Sequence, residues 1–212
     1  KSKMFSTGNI IVSYQSIEES RISRRYQSTQ ESNNIENVNV LGFNLDFGKN
    51  LDSARMFYYG IESYTNWVSS IGFDQSIDTQ IKSPIQTRYP DGGSIYSSLG
   101  AYVSYKHQWT NKLLLNVGGR YSQVFANSKF LDTNFIQLPF DQIQFSKGSL
   151  SGNIGVMYRP SPTWQIDAQL SAGFRAPNVD DYGKIFEKDG FVIVPNADLK
   201  SEYIYSADVT LE

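Results

Sequence analysis

The stretch LSGNIGVMYRPSPTWQIDAQLSAGFR, residues 150–175, contains two runs in which apolar and polar residues alternate. In the second run Trp164 and Ile166 fall on one face, and Gln165 and Asp167 fall on the other. Successive side chains of a β-strand point to opposite faces of the sheet, so each run is predicted to be a strand with one apolar and one polar face. The Pro-Ser-Pro-Thr segment between the runs is typical of a turn. The stretch therefore predicts a β-hairpin.

The same alternation recurs along the chain and predicts eight strands, joined alternately by long and short connections. Runs of about 10 to 15 residues exceed the soluble-strand average of about 5–6 residues. At ~3.3 Å per residue and a tilt near ~40°, they are long enough to cross a hydrocarbon layer of ~25–30 Å. We therefore predict an all-β fold, an antiparallel transmembrane β-barrel segment of about eight long strands. The predicted strands cover residues 9–20, 36–48, 54–71, 95–109, 113–125, 150–159, 164–175 and 202–212.

The composition argues against several classes of function. The chain has 212 residues, no cysteine, one histidine (His107) and a formal net charge of −2. A near-neutral chain lacks the basic footprint of a nucleic-acid-binding protein. One histidine without any cysteine also disfavours nucleophilic catalysis and His/Cys metal sites. We expect no catalytic site, no metal site, no cofactor and no nucleic-acid partner.

Neither a signal peptide nor a transmembrane helix is predicted from the sequence. The first residues, KSKMFS, lack the apolar core of a signal peptide, and no run approaches the ~18 apolar residues of a transmembrane helix. Both ends lie in strand-like sequence, so we expect the chain to be part of a larger protein.

Two boxes near the end of the chain are more specific than the alternation. They are GFRAPNVDD at residues 173–181 and VPNADLKSE at residues 194–202. Together they resemble the C-terminal β-barrel portion of TonB-dependent outer-membrane receptors, in the form seen in Bacteroidetes. The shorter segments EESR at 18–21, TRYPDG at 87–92 and GGRYS at 118–122 support the resemblance.

This resemblance implies a larger architecture than the chain contains. Members of the family have a barrel of about 22 strands, filled by a plug domain that follows a TonB box. Residues 1–212 then represent a partial barrel with no plug, no TonB box and no signal peptide. The implied location is the outer membrane of a Gram-negative cell, with long loops extracellular and short turns periplasmic.

The resemblance also implies a function. The whole receptor is expected to import a scarce ligand, such as a ferric siderophore or a similar nutrient, by energy-coupled transport, and it is not expected to be an enzyme. Its expected partners are the TonB complex (through the plug), the plug of the same chain, the lipid bilayer with its lipopolysaccharide, and the nutrient.

The two boxes contain the first set of candidate site residues. Arg175 and Glu202 stand at the two ends of the loop, and the alternation points both toward the lumen. They are predicted to contact plug charges or each other, or else to be solvated by lumen water. The full set of candidate plug or loop-anchoring residues is Arg175, Pro177, Asn178, Asp180, Asp181, Pro195, Asn196, Asp198 and Glu202.

A second set consists of candidate outer-loop ligand contacts. Arg21, Arg24 and Arg25 are predicted to lie in a first long loop, where they either attract an anionic ligand or lipopolysaccharide phosphates, or form local ion pairs in solvent. Tyr182 and Phe186 either pack the loop or stack on a ligand.

Two other architectures fit part of the pattern. A smaller outer-membrane barrel that acts as an adhesin or structural protein also has long alternating strands. A soluble β-sandwich that serves as a binding module has alternating strands too, although these are rarely so long.

Overall fold

The computed structural model describes residues 3–132, 134–188 and 190–212, and these residues form eleven strands and one short helix. The all-β prediction is confirmed. The elements are β1 (Thr7–Arg24), β2 (Gln30–Asn50), β3 (Arg55–Ser76), β4 (Lys82–Pro84), β5 (Ser94–Thr110), β6 (Leu113–Lys129), β7 (Gln142–Ser161), β8 (Trp164–Arg175), α1 (Val179–Tyr182), β9 (Phe186–Lys188), β10 (Phe191–Ile193) and β11 (Glu202–Leu211).

Eight long strands form one antiparallel sheet in the order β1-β2-β3-β5-β6-β7-β8-β11. The short strand β4 pairs with β3, and β9 and β10 form a separate hairpin. In the described residues β1 and β11 are the two edges and do not pair with each other. The long strands therefore form an open sheet, which is neither a closed eight-stranded barrel nor a two-sheet sandwich.

One face of the sheet, here called the apolar face, carries large aliphatic and aromatic side chains along its whole width. Leu170 is 57% exposed and Val209 is 78% exposed. Soluble proteins rarely expose apolar patches above a few hundred Å², so this face requires an apolar environment. Its exposed apolar residues include Ile10, Val12, Leu41, Phe43, Ile61, Leu99, Val103, Val117, Leu150, Ile154, Val156, Ile166, Leu170, Val209 and Leu211.

The opposite face, here called the polar face, is held together by bonds between side chains of neighbouring strands. Arg120 of β6 pairs with Glu62 of β3. A Cβ atom at Gly100 would collide with the Arg120 guanidinium, so glycine at this position lets the guanidinium cross β5 to reach Glu62. Tyr102 likewise donates its hydroxyl to Asp46 Oδ1 at 2.6 Å.

The structure corrects the predicted strand ends on the side of the long loops. The prediction that residues 21–35 form a long loop is wrong, because β1 continues to Arg24 and β2 begins at Gln30. Residues 142–149 also belong to β7 and not to a loop. The outer ends of β1 and β2 are mostly polar, and at the start of β7 the apolar Ile143 and Phe145 lie on the loop-covered face opposite Ser128 and Ala126, so the hydropathy alternation is lost where the backbone pairing continues.

The outer connections fold back over the polar face and enclose a small core. Ala126 and Ile143 belong to β6 and β7, while Val179, Tyr182 and Ile185 come from the loop of residues 176–201. Partly buried side chains of residues 130–140, including Phe140, pack around them. This core keeps the 176–201 loop against the ends of the central strands.

No helix in residues 3–132, 134–188 and 190–212 is long and apolar enough to cross a membrane.

Candidate functional site on the loop-covered face

The base of the 176–201 loop is closed by the side chain of Arg175. Its Nη2 donates to both carboxylate oxygens of Asp181, at 2.8 and 2.7 Å. Its Nη1 donates to Glu202 Oε1 at 3.2 Å, and Arg175 and Glu202 are directly opposite in the β8–β11 register. The guanidinium therefore connects both ends of the loop to its first turn.

The short helix α1 begins in a reciprocal capping box. The Asn178 side chain accepts a hydrogen bond from the Asp181 backbone N–H at 3.0 Å. The Asp181 carboxylate accepts from the Asn178 backbone N–H at 2.9 Å. A helix of one turn is not stable alone, so this box and the Arg175 contact fix its position.

Tyr182, the last residue of α1, is the most deeply buried side chain of the loop. It is 1% exposed, and its hydroxyl lies 2.8 Å from Ser128 Oγ. Ser128 donates in turn to Ser94 Oγ at 2.7 Å, and Phe145 packs edge-on against the Tyr182 ring. Tyr182 therefore packs the loop onto β5, β6 and β7.

The second box turns back toward α1. Pro177 and Pro195, one from each box, are both buried. Asn196 donates its backbone N–H to the Tyr182 carbonyl at 3.0 Å, and its side chain accepts from the Asp198 backbone N–H at 2.9 Å. The two boxes thus meet at Tyr182.

Asp180 joins the 176–201 loop to the loop before β5. It accepts from the Tyr89 hydroxyl at 2.6 Å and pairs with Lys184 at 3.0 Å. Partial burial raises the pKa of Asp180, but the hydrogen bonds from Tyr89 and Lys184 outweigh burial and hold this pKa below its ordinary value. Burial, followed by the hydrogen bond to Asp180, raises the pKa of the Tyr89 hydroxyl. The contact therefore joins a neutral phenol to a carboxylate.

A pocket of about 380 Å³ lies beside this contact, at the outer ends of β1 and β2. Its lining combines polar side chains, among them Arg21, Asn34 and Arg88, with apolar ones, among them Ile136 and Ile185. Its sides come from strands and from three different connections, so the folded loops create it.

The structure separates the three arginines that the sequence grouped together. Arg21 points from β1 to the polar face and pairs with Glu19. Arg24 donates to the Ser28 carbonyl at 2.8 Å, and Arg25 is exposed in the turn between β1 and β2. Of these three residues, only Arg21 is among the residues that form the pocket.

Phe186 lines the pocket close to Ile185. The Lys184 ammonium lies 5.0 Å from the centroid of the Phe186 ring. The Phe186 ring can thus contact a ligand in the pocket, whereas the Tyr182 ring is buried in the core.

Sequence reasoning missed Arg88, Tyr89 and Ser128 as parts of this site. The TRYPDG segment that contains Arg88 and Tyr89 stands out by its Pro-Asp-Gly turn signal. Ser128 carries no local signal, because it lies at a polar strand end that was predicted to be loop.

No group of three or more His, Cys, Asp or Glu side chains in the described ranges has the geometry of a metal site.

Comparison with solved structures finds the same fold in larger proteins, including the following three. The copper transporter OprC matches with a TM-score of 0.79 and 14% identity, over 96% of this chain and 33% of that one. The ferric yersiniabactin uptake receptor FyuA from Yersinia pestis gives 0.62 and 15%, over 95% and 30%. The Serratia marcescens hemophore receptor HasR, solved with its hemophore HasA and heme, gives 0.66 and 13%, over 97% and 37%. The chain spans about a third of the length of each.

Comparison with curated protein sequences finds no match. The profile of the family described as "TonB dependent receptor-like, beta-barrel" matches residues 4–212. The open antiparallel sheet, its exposed apolar face and its loop-covered polar face agree with that match. The chain belongs to the TonB-dependent receptor-like β-barrel family.

Proposed function

We propose that the chain forms part of the barrel wall of an outer-membrane receptor, which imports a scarce nutrient with energy supplied through the TonB system. One observation carries this proposal: a continuous exposed apolar face backs a polar face that is covered by loops and contains a pocket. In a barrel, the first face contacts lipid and the second lines the lumen. The role is transport and not catalysis.

The orientation follows from the two ends of the sheet. The connections at one end are the short turns at residues 51–54, 111–112 and 162–163, whereas the other end carries the five-residue turn 25–29 and the long loops 77–93, 130–141 and 176–201. Outer-membrane barrels have short periplasmic turns and longer extracellular loops. We place the 176–201 loop and the pocket on the extracellular side of a Gram-negative outer membrane.

Aromatic side chains beside the short turns support this orientation. His107 and Trp109 stack at a centroid distance of 5.6 Å, and Trp164 is 54% exposed next to another short turn. Amphipathic rings concentrate at membrane–water interfaces, so these residues suit the periplasmic boundary.

The partners follow from the same arrangement. The edges β1 and β11 would pair with further strands of a larger barrel, since an open edge in lipid leaves backbone groups without partners. The polar face would contact a plug domain of the same chain, and that plug would contact the TonB complex. Lipopolysaccharide would surround the outer ends of the strands.

Transport by the full-length receptor tests the proposal. Uptake of labelled ferric citrate, haem, copper, cobalamin and 4-phenylbutyrate is measured separately in the parent strain, in a strain without the receptor gene and in one without TonB. The proposal predicts that uptake of at least one probe falls equally in both mutants and returns on complementation. Unchanged uptake of every probe without the receptor, or uptake that persists without TonB, would contradict it.

A further inference from the structure

We propose that the pocket between Arg21 and Arg88 binds the carboxylate of a small monoanion with an apolar body. The inference rests on the proposed function, because it names the class of nutrient that the receptor captures. Its basis is a pair of half-buried arginines that line the pocket, each with one buried guanidinium nitrogen that makes no hydrogen bond.

Both arginines present a buried donor without a partner. Arg21 pairs with Glu19 through Nη2, but its Nη1 is buried and makes no hydrogen bond. The Nε of Arg88 is also buried without a partner. Guanidinium groups only donate, and both arginines line the pocket, so an acceptor bound there would face two donor groups whose hydrogen-bonding capacity is not filled.

Arg88 also carries a charge that the described residues do not neutralise. Among the carboxylates whose side chains the structure describes, in residues 3–132, 134–186 and 190–212, none forms an ion pair with Arg88, and its guanidinium instead lies 5.6 Å from the centroid of the Tyr89 ring. Arg21, in contrast, already has Glu19. The free positive charge in the pocket is therefore that of Arg88.

Neighbouring carboxylates limit the charge that the pocket accepts. Glu36 is 4% exposed, and neither of its carboxylate oxygens has a hydrogen-bond partner. It is directly opposite Glu19 in the β1–β2 register, beside the pair of Arg21 and Asn34. Both glutamates would repel a phosphate dianion about twice as strongly as a single carboxylate, so the site favours a monoanion over a dianion.

The apolar part of the lining selects for an apolar body. Ile136, Ile185 and Phe186 supply this part of the pocket surface. A volume of about 380 Å³ lies at the small end of the range for small-molecule pockets, about 300–1,000 Å³. A carboxylate joined to a short aliphatic or aromatic group fits both parts of the lining.

Binding to the purified full-length receptor tests this inference. The probe is 4-phenylbutyrate, and 4-phenylbutanol has the same body without the charge. We expect the carboxylate to bind and the alcohol to bind much more weakly. Arg88→Gln should weaken carboxylate binding by about tenfold or more, the loss of one charge-assisted hydrogen bond, and Arg21→Gln should weaken it as well.

Arg25→Gln is the matched control, because Arg25 is exposed outside the pocket; it should leave binding unchanged. Equal affinity for acid and alcohol, or unchanged carboxylate binding in folded Arg88→Gln, would overturn the inference. The inference would also be overturned if Arg88→Gln weakened the binding only of inorganic phosphate or of vesicles containing lipopolysaccharide. That result would identify the pocket as a phosphate site.

The two proposals fail in different experiments. If the strain without the receptor gene loses nutrient uptake but Arg88→Gln imports normally, transport stands and the pocket is not its ligand site. If loss of the gene affects no uptake, transport fails whatever the pocket binds.

Discussion

The guanidinium of Arg175 binds the Asp181 carboxylate through two hydrogen bonds from the same nitrogen, at 2.8 and 2.7 Å. The Asp181 side chain is 28% exposed, while that of Glu202, the other partner of Arg175, is 70% exposed. Asp181 also completes the capping box with Asn178. The stronger anchor of the loop is therefore inside it, at α1, and not at its far end.

Asp181→Asn should loosen the loop more than Glu202→Gln. The Asp181→Asn variant loses a charge-assisted pair with Arg175 and has a weaker helix cap. Together these two losses should destabilise the loop by about 1–2 kcal/mol, so the amides of residues 178–185 should exchange roughly 5–30-fold faster. The exposed Glu202 pair is worth less than about 1 kcal/mol. Hydrogen exchange of the full-length receptor measures both, and an equal or larger effect of Glu202→Gln would refute this ranking.

Tyr182 should be the most sensitive single position of the loop. Tyr182→Ala removes a ring that is 1% exposed, and large-to-small changes at buried aromatic residues cost about 3–5 kcal/mol. Tyr182→Phe loses only the hydrogen bond with Ser128, about 1 kcal/mol. Hydrogen exchange measures the difference: the backbone amide of Ile185 should exchange much faster in Tyr182→Ala than in Tyr182→Phe.

Tyr205→Phe is the control for that comparison, because Tyr205 is 79% exposed on the apolar face. It should leave exchange in the loop unchanged. Protection that survives in Tyr182→Ala would show that the core does not hold the loop.

Asp180 should make the loop sensitive to acid. Because its pKa is lower in the folded loop than its ordinary value of 3.8, Asp180 stabilises the loop above that value. The stabilisation is lost as the pH falls through the lowered pKa. Pepsin cleavage at Phe186 or Phe191 should therefore increase below pH 3.8.

Asp180→Asn removes the titrating group and is the control for this pH dependence. Its cleavage should be higher than that of the native protein at pH 5 and should change less between pH 5 and pH 3. Identical pH profiles for the two proteins would exclude Asp180 as the sensor.

Gly100→Ala should break the ion pair between Arg120 and Glu62. The added Cβ would collide with the guanidinium, which is the end of a flexible side chain and would have to move away from Glu62; a partly exposed pair of this kind is worth up to about 1 kcal/mol. Gly119→Ala is the matched control, since a Cβ there meets nothing within 4 Å. Thermal unfolding of the full-length receptor should show a lower midpoint for Gly100→Ala only; equal midpoints would show that Gly100 is not required for close packing.

The central part of each strand could be predicted from the sequence, and the outer ends could not. Leu170 and Gln169 differ in polarity because one face is apolar, and β8 was predicted with its observed bounds. Arg24 and Glu31 pair across the β1–β2 hairpin, but both faces are polar there. Backbone pairing without an apolar face leaves no periodic signal in the sequence.

The candidate site was predictable to a similar, partial degree. The two boxes identified Arg175, Asp181 and Glu202 because their spacing is local. The pocket joins Arg21 to Arg88 and Ile185, which are far apart in sequence. Such contacts depend on how the loops fold over the sheet, and no local pattern encodes that.

The membrane orientation of the sheet is the central claim, and two adjacent positions test it most directly. Nitroxide labels are placed by Gln169→Cys or Leu170→Cys in the full-length receptor, reconstituted in a lipid bilayer. Their collision rates are measured with oxygen, which dissolves in lipid, and with a water-soluble nickel chelate. The ratio of the oxygen to the nickel collision rate should be high for the label at residue 170 and low for the label at residue 169. Equal ratios at the two positions, or the reverse order, would contradict the assignment of the apolar face to lipid and the polar face to the lumen.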